Sequence, residues 1–249
     1  MPNIALVYFS PTGNTKKALE TACKLPCANI SFFDVTTAHN LQETDLSDFD
    51  LVIFGSPVYS GRLPHCSLDR FAFMKGSQTP CVLMVTFGNR AYEDALREFF
   101  DLVTPLGFCV RGAAAVVAQH TYGMIQPGRP AEDDLVEIED FLIHVLAHTD
   151  EPTSIIVPGN FPYREAGKKN RFRPTTNANC VECGMCVRDC PVSAIAADCR
   201  TINEDCIGCL RCVKNCPMKA KSIVEPEFAD FEKYFTEKLK RRLENEFFV

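Results

Sequence analysis

The chain has 249 residues, 46% hydrophobic and 23% charged, enough for one large folded domain and a small one, with no apolar run near the ~20 residues of a membrane helix. Its net charge of −6 is uneven, −8 over residues 1–150 and +3 over 151–176, and the acidic part speaks against a nucleic-acid partner. The N-terminus MPNIALVYFS shows no secretory pattern, so a cytoplasmic protein is expected, in which fourteen cysteines point to metal or redox chemistry rather than disulfides.

Residues 4–9 form a short apolar run that ends in the turn-like Ser10, Pro11, Thr12 and Gly13, and a helical pattern follows over 14–24. Further apolar runs at 28–34, 51–55, 80–87 and 108–118 read as strands, with helical patterns at 64–75, 92–106 and 130–148 between and after them. Apolar strands alternating with helices predict a parallel sheet covered on both faces, here a five-stranded doubly wound α/β domain over residues 1–150. Proline and basic residues then mark a linker at 151–176. Its basic run Arg164, Lys168, Lys169, Arg171 and Arg173 suits either docking on the acidic domain or simple solvation. Residues 177–223 carry most of the cysteines. The tail, 224–249, places Phe228, Phe231, Phe235, Leu239 and Leu243 at helical spacing, which predicts a C-terminal helix packed against another domain.

Cys180, Cys183, Cys186, Cys190 and Pro191 read C-x2-C-x2-C-x3-C-P, and Cys206, Cys209, Cys212, Cys216 and Pro217 repeat the pattern 26 residues later. In such runs three cysteines wrap one cubane and the fourth reaches the other. The predicted ligands are Cys180, Cys183, Cys186 and Cys216 for one [4Fe–4S] cluster and Cys206, Cys209, Cys212 and Cys190 for a second. Structural zinc also uses CxxC pairs, but it groups cysteines in twos rather than in fours ending in Cys-Pro. The segment resembles a two-cluster bacterial ferredoxin, with Glu182 standing where the second run has Gly208. The other six cysteines, 23, 27, 66, 81, 109 and 199, read as buried free thiols.

Ser10, Thr12, Gly13, Asn14 and Thr15 lie between first strand and first helix, where hydroxyls and free N–H groups form an anion nest. The turn has neither the lysine of a P-loop nor G-x-G-x-x-G. It resembles the FMN phosphate loop of flavodoxins, S/T-x-T-G-N-T, over a domain of about 1–150. That resemblance implies FMN as cofactor. It also implies flavin contacts from Pro57, Tyr59, Ser60 and Gly61 after the third strand and from Phe87, Gly88, Asn89 and Tyr92 after the fourth. Tyr59 and Tyr92 would be the stacking rings, and Ser60 replaces a glycine common in flavodoxins. Arg90 reads either as a solvated charge or as a flavin contact. The whole chain resembles the EFR1-type ferredoxin family of anaerobes, a flavodoxin-like domain fused to a two-cluster ferredoxin.

An electron carrier serving a redox-protein partner or a small-molecule acceptor is therefore expected, with oligomeric state left open. The alternative is a flavin-dependent reductase with its own small-molecule substrate. His120 and Tyr122, after the fifth strand, would be its proton donors, or else they pack the loop.

Overall fold

The computed structural model describes residues 1–37, 41–149, 155–167 and 172–249. The first part alternates strand and helix: β1 (Asn3–Tyr8), α1 (Asn14–Leu19, continued by a 3-10 turn over Glu20–Lys24), β2 (Asn29–Asp34), β3 (Thr44–Asp45), β4 (Leu51–Pro57), α2 (His65–Phe71), β5 (Met74–Lys75), β6 (Thr79–Phe87), α3 (Ala95–Val103, with a 3-10 turn over Thr104–Leu106), β7 (Phe108–Val117) and α4 (Glu132–Ala147). The second part has β8 (Thr175–Thr176), α5 (Met185–Arg188), α6 (Arg211–Lys214), β9 (Lys221–Ser222), α7 (Pro226–Lys238) and β10 (Glu246–Phe248).

The main sheet runs β2-β1-β4-β6-β7-β10, and its first five strands are parallel. Numbered among themselves, those five follow the order 2-1-3-4-5, the flavodoxin-like doubly wound arrangement. Alternate residues serve opposite faces, as the two-residue period of a strand requires. On β1, Ala5 and Val7 join the core under α2 and α3, with Phe54, Phe71, Phe99 and Phe108. Ile4, Leu6 and Tyr8 join the core under α1 and α4, with Leu19, Ile138 and Leu142. Phe54 anchors the first core, edge-on to Phe108 at 4.9 Å and to Phe71 at 5.9 Å.

The C-terminal region corrects one expectation. The helix ends at Lys238, and β10 then pairs antiparallel with β7, Phe247 opposite Ala114. Two hydrogen-bond hubs hold the returning tail in this place. Asn89 donates to Leu239 O at 2.7 Å and Arg241 O at 2.6 Å and accepts from Leu243 N. Arg129, in a buried ion pair with Asp134, donates to Leu243 O at 2.7 Å. Continued helix would have carried Phe247 and Phe248 away from the sheet, where they instead cover opposite faces.

The cysteine-rich region is a near-repeat. α5 and α6 are related by the 26-residue offset, and in each half a backbone N–H, from Ala194 or Ala220, donates to the sulfur of Cys190 or Cys216 at 3.3 Å. β8 and β9 join its two ends, and the Ile195–Ile202 bridge closes its middle. The aromatic stripe of α7 packs as expected: Phe228 and Phe231 meet Phe172 and Tyr122, and Phe235 meets His120. Among the described residues, no helix is long and apolar enough to cross a membrane.

Candidate cofactor sites

The cysteine repeat lines two cavities that open to solvent, with volumes that count the open space. One of about 440 Å³ is lined by Cys180, Cys183, Cys186 and Cys216, together with Cys199 and Cys212. The other, about 350 Å³, is lined by Cys190, Cys206, Cys209 and Cys212 among Pro174, Pro191, Ile195, Ile202, Ile207 and Leu210. Each cavity therefore gathers three cysteines of one run and the fourth of the other. Zinc needs its ligands ~2.0–2.3 Å from one point. Among the described residues no three His, Cys, Asp or Glu side chains converge in that way. An all-cysteine donor set spread around a cavity fits a cubane. Burial pushes the thiols of Cys186 and Cys212 up to about 11 and that of Cys209 up to about 12. A bound cation must therefore displace their protons.

The six remaining cysteines divide. Cys81 and Cys199 are buried as expected and Cys66 and Cys109 are half-buried, but Cys23 and Cys27 are exposed. The 3-10 turn that ends the first helix carries Cys23 outward, and Cys27 follows in the loop beyond it.

Four loops meet at the carboxyl edge of the sheet, the side where open α/β sheets take ligands. After β1, Ser10 is buried. Its N–H donates to Thr36 Oγ1 at 2.8 Å, and its Oγ accepts from Lys16 N at 3.0 Å. Asn14 Nδ2 donates to Gln119 O, and the Thr15 hydroxyl shares a 2.7 Å bond with Thr86. These contacts tie the turn to the sheet. Among the described residues, the N–H groups of Thr12, Asn14 and Thr15 have no acceptor within the chain. Gly13 takes φ 88°, and space is open where its Cβ would stand. Free N–H donors around an open glycine fit a phosphate.

After β4, a turn closes on itself: Tyr59 N donates to Arg62 O at 2.9 Å, with Ser60 and Gly61 both left-handed. Pro57 ends the strand. Tyr59 lies among Cys66, Cys206, Cys209 and Tyr122, and burial with those neighbours pushes its phenol well above its ordinary value. The residue as a whole is half-buried.

After β6, Phe87 is buried and edge-on to Tyr92 at 5.4 Å, and Tyr92 donates to Glu246 Oε2 at 2.8 Å. Asn89 clamps the tail. Arg90 pairs with Glu93, as does Arg164 of the linker. Lys168, Lys169 and Arg171 lie outside the described residues. The structure thus gives Tyr59 and Tyr92 different neighbours, cysteines for one and the tail for the other.

After β7, His120 accepts from Tyr122 N at 2.9 Å and packs edge-on under Phe235. Its side chain also fills the space next to Gly88, where any Cβ would strike the ring. Burial holds its imidazole down at about 4, against its bond to Tyr122, so it is neutral at pH 7. Tyr122 donates to Gly208 O at 3.3 Å, between two cysteines of the second run. Both residues pack the loop beneath α7.

Three cations join the domains: Arg70 of α2 donates to Pro191 O, and two others reach the opposite way. Arg211 Nη1 donates to Pro11 O at 2.8 Å, and Lys214 Nζ donates to Thr12 O at 2.5 Å. Both belong to α6, so the second cysteine run rests on the turn after β1. Nothing in the sequence singled these two out, since their partners lie 200 and 202 positions away.

A family model described as "4Fe-4S binding domain" matches residues 200–222, the stretch with Cys206, Cys209, Cys212 and Cys216. No curated protein matches the chain. Solved structures cover part of it. A flavodoxin from the domain Archaea is 13% identical, covering 60% of this chain and 99% of its own, with a TM-score of 0.46. The Fusobacterium nucleatum flavodoxin bound to flavin mononucleotide is 16% identical over 60% of this chain and 100% of its own, TM-score 0.45. Flavodoxin 1 from Bacillus cereus is 13% identical over 59% and 98%, TM-score 0.44. The strand order itself defines the fold, and residues 200–222 define an iron–sulfur segment beside it.

Proposed function

We propose that the chain is an electron relay of the EFR1 type, carrying electrons between two [4Fe–4S] clusters and FMN, to or from a redox partner. One observation carries the reading: the loop of the second cysteine run rests against the carboxyl edge of the sheet, through Arg211–Pro11, Lys214–Thr12 and Tyr122–Gly208. Clusters pass single electrons and flavin exchanges one or two, so the pair converts between single-electron and hydride chemistry.

In this reading the chain's own residues have distinct tasks. Thr12, Asn14 and Thr15 hold the FMN phosphate by their N–H groups, and Ser10 fixes the turn. Cys206, Cys209, Cys212 and Cys190 hold the cluster nearer the flavin edge, with Tyr59 beside Cys206 and Cys209 and Tyr122 bonded to Gly208. Cys180, Cys183, Cys186 and Cys216 hold the other. The placement of His120 and Tyr122 under α7 favours the relay over a reductase that uses them as proton donors.

The test is flash photoreduction of the anaerobic holoprotein by an external one-electron donor. Cluster reduction should be followed by flavin reduction at a rate independent of protein concentration. A rate proportional to protein concentration, or a flavin that never accepts the electron, would contradict the relay.

A further inference from the structure

The two halves of the cysteine repeat differ at one position that is buried in both. The first run continues Cys190-Pro191-Val192-Ser193-Ala194-Ile195, and the second Cys216-Pro217-Met218-Lys219-Ala220-Lys221. The 26-residue offset sets Lys221 on Ile195. Both are buried, Lys221 4% exposed and Ile195 5%, and each lines one cavity, Lys221 the one ringed by Cys180, Cys183, Cys186 and Cys216.

An ammonium in a place built for isoleucine is costly unless an anion faces it. Lys221 Nζ donates to Thr176 Oγ1 at 2.8 Å and to the carbonyl of Cys199 at 2.7 Å, both neutral acceptors. No carboxylate among the described residues pairs with it. The other charges on this cavity do not fill that role. Asp189 is engaged by Arg188 at 2.7 Å, and Arg211 borders both cavities alike. The missing anion is therefore what the cavity is shaped to receive. A cubane with its four thiolates is anionic, and each electron it takes adds negative charge.

We propose that the Lys221 ammonium is the built-in counter-charge of the cluster held by Cys180, Cys183, Cys186 and Cys216, and makes that cluster the more readily reduced of the two. This inference rests on the two-cluster reading above. The other cavity presents Ile195, Ile202, Ile207 and Leu210, which give an added electron no compensation. Net charge and hydrogen bonding around a cluster set its potential. The Ile195/Lys221 difference thus splits two otherwise similar sites, with electrons settling on the side of Lys221.

The experiment is an anaerobic redox titration followed by electron paramagnetic resonance, on wild type, Lys221→Met and Lys221→Gln. Iron and acid-labile sulfide are counted in each preparation. Wild type should titrate in two resolved steps at about eight irons per chain. In both variants the higher step should move down toward the lower, which stays in place. Glutamine can still hydrogen-bond to Thr176 and the Cys199 carbonyl, so an equal shift in Lys221→Gln assigns the effect to charge. If both variants lose about four irons while Lys221→Arg keeps them, the counter-charge is needed for the cluster to be held, which also supports the proposal. Unchanged steps at full iron content would overturn it, as would a single step in wild type or equal loss of iron from Lys221→Arg. Wild type without iron would instead sink the two-cluster reading, before any variant is compared.

Discussion

At the scale of residues, the cavity linings assign the fourth cysteine of each run to the opposite cavity. Crossed ligation has a distinct consequence. Cys216→Ser, although in the second run, should damage the same cluster as Cys186→Ser, and its reduced spectrum should match that variant rather than Cys212→Ser. Ligation confined to each run would give the reverse match. His120 offers a second expectation. Its folded value of about 4 lies below its ordinary 6.5, so the unfolded chain binds the extra proton between those limits. Its contribution is complete above 6.5 and is lost as pH falls toward 4. Between pH 7.5 and 5.5 that loss is about 1 kcal/mol. Tyr122 and Arg90 are the polar groups that act on it. Urea unfolding at the two pH values should show the loss in wild type and not in His120→Gln, and equal pH dependence would contradict the assignment. The grouping of the cysteines around two cavities was legible because spacing along the chain encodes it. Lys221 went unread, because the weight of its alignment with Ile195 shows only once both are known to be buried. The duties of Asn89 and Tyr92 were hidden, because their partners Leu239, Arg241, Leu243 and Glu246 lie about 150 positions away.

At the scale of elements, the five parallel strands were plain from continuous apolar runs, the pattern of a sheet covered on both faces. β10 was not. Its three residues close a charged tail, and only pairing with β7 makes them a strand. The helical spacing of Phe228, Phe231 and Phe235 was real, but extending it to Leu243 ignored that Asn89 and Arg129 capture the backbone at Leu239, Arg241 and Leu243. Phe247 packs on Phe141 with ring centres 5.0 Å apart. Because its ring is only partly covered, Phe247→Ala should cost about 2 kcal/mol in urea unfolding, less than a fully buried phenylalanine. A change under about 0.5 kcal/mol would mean that the sixth strand contributes little to the sheet.

At the scale of the whole molecule, the tail and α6 bind the two halves into one unit. The tail reaches from the cysteine region to the loop after β6, and α6 reaches from the cysteines to the turn after β1. A relay needs that geometry, since electrons must leave one cofactor domain for the other without a free encounter. Sequence predicted the two domains from separate signals, strand periodicity and cysteine spacing. It could not supply their mutual placement, which depends on isolated cations and carbonyls with no pattern around them.

The most direct measurement is a count of iron, acid-labile sulfide and flavin per chain in protein purified without oxygen. About eight irons, about eight sulfides and one FMN per chain are expected. Zinc in place of iron, or protein that carries neither sulfide nor flavin, would contradict the account.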